Sequence, residues 1–110
     1  MTIKDPAHYL YNDLDSEAAT HWSSLLLPQP ATPHLTKTTN AGYLHVPCAY
    51  FLASKDNTCP IALQETMVKE AREAGAEIVE YRGDTGHSPY LSATSRVVDD
   101  VVAFVQMLQK

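Results

Sequence analysis

Val46-Pro47-Cys48-Ala49-Tyr50-Phe51-Leu52-Ala53 is a continuous apolar run, followed by the polar loop Ser54-Lys55-Asp56-Asn57-Thr58-Cys59. Such a run, without alternation, predicts a strand of a parallel sheet buried on both faces, with Pro47 tolerated at its start. Working outward, Pro60 suits the first turn of a helix carrying Leu63, Met67, Ala71 and Ala74 as its apolar stripe. Gly75 is the natural stop. Glu77-Ile78-Val79-Glu80-Tyr81 then reads as a second, sheet-edge strand, and Ser95 to Leu108 as a helix with a wide valine-rich face. Strand, helix, strand, helix makes a βαβα unit whose two strands run parallel.

Towards the N-terminus, Ser16 to Leu26 has a helical rhythm on Ala18, Ala19, Trp22, Leu25 and Leu26, with Asp15 as N-cap and Glu17 in the first turn. Pro6 to Leu14 is expected to form a shorter helix with Tyr9, Leu10 and Leu14 on its apolar side. Pro28, Pro30 and Pro33 interrupt regular structure. Leu35 to Leu44 is expected to hold one short helix with Tyr43 and Leu44 turned inwards. The whole is read as a single domain, with helices and a Pro-rich connector over 1–34 and the βαβα core over 35–110.

With 110 residues, 45 % of them hydrophobic, the chain has material for one core. Eight basic residues against thirteen acidic ones give 8 − 13 = −5, which argues against a nucleic-acid surface. No apolar run is long enough to span a bilayer, and the polar start lacks a signal-peptide core, so no membrane partner and a cytoplasmic location are expected. Cys48 and Cys59 are read as thiols. His8, His21, His34 and His45 share no ligand spacing with them, so neither a metal nor a cofactor is expected.

The chemistry concentrates at the ends of the two strands. His87 lies in Gly83-Asp84-Thr85-Gly86-His87-Ser88-Pro89-Tyr90, after the second strand, and Asp56 follows the first. In open parallel sheets that rim is where ligands bind. A carboxylate on Nδ1–H would fix the histidine tautomer and leave Nε2 as a general base or acid. The plain alternative is a histidine that caps its loop and an aspartate that caps the following helix. Ser88, Tyr90 and Cys59 are the candidate binding residues on the same rim, each with a packing or capping role as its ordinary reading.

Three pieces of the chain, residues 46–57, Gln64-Glu65-Thr66-Met67 and Gly86-His87-Ser88-Pro89-Tyr90-Leu91-Ser92, resemble the C-terminal part of α/β-hydrolase-fold proteins, in the single-domain esterase and hydroxynitrile-lyase-like branch. Tyr11-Asn12-Asp13-Leu14 and the Trp22-bearing helix look like the end of that family's cap region. The resemblance implies a truncated α/β-hydrolase-like unit preceded by cap-like helices, with Asp56 as triad acid and His87 as triad histidine. Their separation, 87 − 56 = 31, admits one helix and one strand. Among Gly42, Gly75, Gly83 and Gly86 none brackets a serine as G-x-S-x-G, so the chain carries no nucleophile elbow.

Three expectations follow from that mixture. One is an enzyme using the His87–Asp56 dyad for isomerisation, elimination, decarboxylation or cyclisation of a small organic molecule. Another is a non-catalytic hydrolase remnant or binding module. The last is the C-terminal part of a split serine hydrolase. Since two strands leave the Val46–Ala53 run with an unpaired edge, a homodimer or a second polypeptide is expected to pair with it.

Overall fold

A computed structural model describes all 110 residues. Two parallel strands, β1 (Cys48–Ala53) and β2 (Ile78–Gly83), pair in register from Cys48↔Ile78 to Ala53↔Gly83. Helix α4 (Ile61–Glu73) connects them, and α5 (Pro89–Ser92) and α6 (Thr94–Leu108) follow. The βαβα reading is therefore correct. Before the sheet come α1 (Pro6–Tyr9), α2 (Ser16–Ser24), α3 (Thr32–Leu35) and a 3₁₀ turn at Gly42–Leu44. The longer helix expected over Pro6 to Leu14 closes after one turn. The one short helix expected within Leu35 to Leu44 is the 3₁₀ turn Gly42–Leu44, but Tyr43 and Leu44 are exposed rather than turned inwards.

Local chemistry explains the helix ends. Asp15 accepts a hydrogen bond from the Ala18 amide at 2.8 Å, capping α2 as its sequence predicts. Gly75 takes φ +104°, the left-handed conformation that stops α4 and that only glycine adopts without strain.

Packing is where the fold departs from expectation. The buried stripe of α4 is Gln64, Val68 and Ala71, whereas Leu63 and Met67 are half exposed to solvent. The helix is thus rotated by one position, and the reason is polar. Gln64 Nε2 donates to the Ala53 carbonyl at 3.0 Å and to the Cys59 carbonyl at 2.6 Å, while its Oε1 accepts from the Ala53 amide at 2.9 Å. One side chain so imitates a neighbouring strand at the end of β1. Leucine could not satisfy those groups, and leaving them buried and unpaired is expensive.

β1 is buried only at Leu52 and Ala53, and its start is open, so the double-sided burial expected of the run holds for its last two residues alone. No residue of α6 is fully buried either. Its N-terminal end is held by Arg96, which donates to the Arg82 carbonyl at 2.6 Å and lies 6.0 Å from the centroid of the Phe51 ring. Farther along, α6 stands off Phe51 and Tyr81 across a cleft of about 160 Å³. No helix is long and apolar enough to cross a membrane.

Replacing Gln64 with leucine keeps the volume and removes all three bonds. Gln64→Leu is expected to lower the unfolding free energy by about 3 kcal/mol, the scale of two or three orphaned backbone groups, in a urea titration.

Candidate functional site

The strand ladder continues past the strands and brings two loops together. Ser54 N–H donates to the Gly83 carbonyl at 3.0 Å and Lys55 N–H to the Thr85 carbonyl at 2.8 Å. Asp56 comes one residue after the first partner and His87 two residues after the second, so their side chains meet. His87 Nδ1 lies 2.9 Å from Asp56 Oδ2. Across the same rim Ser54 Oγ donates to Asp84 Oδ1 at 2.5 Å, and Lys55 Nζ pairs with Asp84 Oδ2 at 3.0 Å. These contacts, first the Ser54 hydroxyl and then the ammonium, hold the Asp84 carboxyl below its ordinary range.

The aspartate does two jobs at once. Its Oδ1 accepts from the Thr58 amide at 2.7 Å and the Cys59 amide at 3.0 Å, just ahead of α4, while Oδ2 faces the imidazole. Asp56 thus meets His87 and also gathers the loop amides, but it does not cap the following helix, whose N-cap is Pro60 without a side-chain bond. Only 7 % of the Asp56 side chain is exposed, against 36 % for His87, and no group of the chain engages Nε2. A carboxylate buried in this way, with three donors around it, orients the ring through Nδ1 and leaves Nε2 open to the surface.

An N-terminal strap, residues 8–13, fixes both loops from above. Asn57 Nδ2 donates to the His8 carbonyl at 3.0 Å, Thr58 Oγ1 to the Tyr9 carbonyl at 2.6 Å, and Asn12 Nδ2 to the Lys55 carbonyl at 2.8 Å. On the histidine side, Ser88 Oγ donates to the Leu10 carbonyl at 2.8 Å and the Gly86 amide to Asp13 Oδ2 at 2.8 Å. Gly86 is required by the close approach: a Cβ there would overlap the Asn12 and Asp13 side chains. Asn12, Asp13 and Gln64 are parts of the site that periodicity does not reveal. Their only signal is that they fall inside the segments resembling hydrolases.

Of the candidate binding residues, Ser88 is buried and its hydroxyl is engaged in the strap. Tyr90 is exposed, with its hydroxyl 3.4 Å from Ser88 Oγ. Cys59 is half-buried beside Asp56. Burial pushes its thiol above the ordinary 9.0, and the Asp56 carboxylate adds to the rise, so Cys59 is not an activated thiolate. Tyr50 is likewise raised above 10.0, by burial first and then by Cys59 and Asp56. That tyrosine also lines the largest concavity of the molecule, about 480 Å³ between β1 and α4, with Tyr43, Cys48, Met67 and Ala71. No residue of the two dyad loops lines this cavity, which opens toward the start of the strands, and Tyr50 is connected with the dyad only by the charge of Asp56. Nowhere do three His, Cys, Asp or Glu side chains converge as metal ligands.

Comparison of the chain with family models, with curated proteins and with solved structures gives no match. The geometry is what any functional reading rests on.

Cys59 and Tyr50 both release their protons less readily in the folded chain than when unfolded. Their contribution is thus intact below the unfolded thiol value and is lost as pH rises through the folded ones. Stability should decline in mild alkali from about pH 9. Cys59→Ser should delay the onset of that decline until the tyrosine titrates, which urea unfolding across pH 8 to about 10.5 measures.

Proposed function

We propose that this chain is a small acid–base enzyme in which His87, oriented by Asp56, moves a proton on a small organic substrate. The observation that carries the proposal is the 2.9 Å Nδ1–Oδ2 contact to a buried carboxylate, with Nε2 unengaged and open. In the proposed step Nε2 takes a proton from the substrate, Asp56 stabilises the imidazolium, and the proton returns to the product or leaves to water. Isomerisation, elimination, decarboxylation and cyclisation all fit, because none requires an acyl-enzyme. The likeness of the two loops to the acid and histidine loops of α/β-hydrolases supports the same pairing of roles.

A serine nucleophile has no support in the geometry. Ser88 Oγ is directed at the Leu10 carbonyl, Ser92 Oγ lies 3.5 Å from the Ser88 carbonyl, and Ser54 Oγ is bound to Asp84.

One observation favours a second reading. Asp56 also caps the Thr58 and Cys59 amides, so the pair could serve as a clasp between loops in a binding module without chemistry. The elimination of 5-nitrobenzisoxazole, which needs only a positioned base, separates the two. Catalysis by the wild-type chain should be lost in His87→Ala, by a factor of about 10² or more, and reduced in Asp56→Asn. Equal rates for the wild type and His87→Ala would overturn the proposal and leave the clasp.

A further inference from the structure

The unpaired edge of β1 is not uniformly available. Cys48 N–H donates to the Glu77 carbonyl and Ser54 N–H to the Gly83 carbonyl, so even-numbered residues of this strand face β2. Backbone groups alternate sides along a strand, which turns the N–H and C=O of Ala49, Phe51 and Ala53 to the free edge. Ala53 is closed there by Gln64. At the other end the position in phase is Pro47, which has no N–H. One stretch, Ala49 to Phe51, is left as an open ladder, and it is bounded on both sides.

From this we infer that two copies of the chain pair through β1, antiparallel about a two-fold axis at Tyr50, with Ala49 opposite Phe51 of the second copy. In that register each Ala49–Phe51 pair exchanges two N–H···O bonds. The next pair outward would set Pro47 against Ala53, the position without a donor against the position already satisfied. The strand's two closed ends therefore meet each other, and the one group this leaves over, the exposed Pro47 carbonyl, is answered by water. A parallel partner strand would have no such match between its own ends and these.

The chain has exposed surface enough for such a partner. The chain exposes 7820 Å², about 1,800 Å² more than the ~6,000 Å² expected of a folded monomer of 12.1 kDa. A standard interface removes about 800 Å² from each partner. Apolar side chains flank the edge on both faces, with Met67 and Tyr43 on the α4 side and Val101 on the α6 side, all exposed. The isologous arrangement covers both rims with the same residues of the second copy. A continuous four-stranded sheet, β2-β1-β1-β2, results.

Size-exclusion with light scattering at micromolar concentration should give twice the 12.1 kDa chain mass. Ala49→Pro removes an outward N–H that no bond within the chain uses, and should give a folded monomer by circular dichroism. Register is read by disulfide trapping with oxidised glutathione in a Cys48→Ser, Cys59→Ser background. Tyr50→Cys, at a non-hydrogen-bonded pair about 4.5 Å apart in Cα, should link two chains, whereas a chain retaining only Cys48 should not. If Ala49→Pro does not fold, the Tyr50→Cys linkage decides alone. A monomeric wild type, including one that associates only with a separate polypeptide, overturns the inference. So does a dimer that persists in folded Ala49→Pro, or linkage of Tyr50→Cys no faster than of Cys48.

Discussion

Asp56 is the residue on which the arrangement of this chain depends. One carboxylate oxygen ends the β1 loop by gathering the Thr58 and Cys59 amides, and the other reaches 31 residues along the sequence to His87. Both loops are short and polar, and neither could hold its shape by apolar packing. Their geometry comes from the ladder of β1 and β2, extended by the Ser54 and Lys55 amides, and from this one side chain. A change at Asp56 therefore acts on fold and chemistry together, and only measurements that distinguish the imidazole's orientation from the loop's integrity can separate them.

The remainder of the support is polar too. Eleven residues of 110 are buried, and Gln64, Thr85 and Ser88 are among them. In a chain with so small a dry core, hydrogen bonds to backbone groups take over positioning that larger domains leave to side-chain packing. The strap over residues 8–13 illustrates this. Its carbonyls at His8, Tyr9 and Leu10 receive Asn57, Thr58 and Ser88, so a segment with almost no regular structure is tied to both loops.

Much of this was legible in the sequence. The apolar run at Val46–Ala53, the helical stripe after Pro60 and the glycine at 75 place β1, α4 and its end, and the strand-end positions of Asp56 and His87 make their meeting a geometric consequence. Periodicity failed at Gln64, because a rule that counts apolar side chains cannot anticipate a ladder end whose donor and acceptor must be answered by an amide. It failed again on α6, where a valine-rich face announces burial but the surface that would bury it is not supplied within the chain. Tyr43 and Leu44 were misplaced for the same reason. Amphipathicity states that a face needs covering, and it does not state by what.

Arg96 gives α6 an unusual mechanical character. The helix is anchored through its first turns, by Arg96 on the Arg82 carbonyl and the Phe51 ring and by Thr94 Oγ1 on the Tyr90 carbonyl at 2.7 Å. Beyond that anchorage it runs on over a cleft to Leu108, for about 20 Å at 1.5 Å per residue. A rod fixed at one end magnifies rotation at its root into translation at its tip. Because the root is continuous with α5 and the His87 loop, a tilt of a few degrees at that root would displace the far end of α6 by about an ångström.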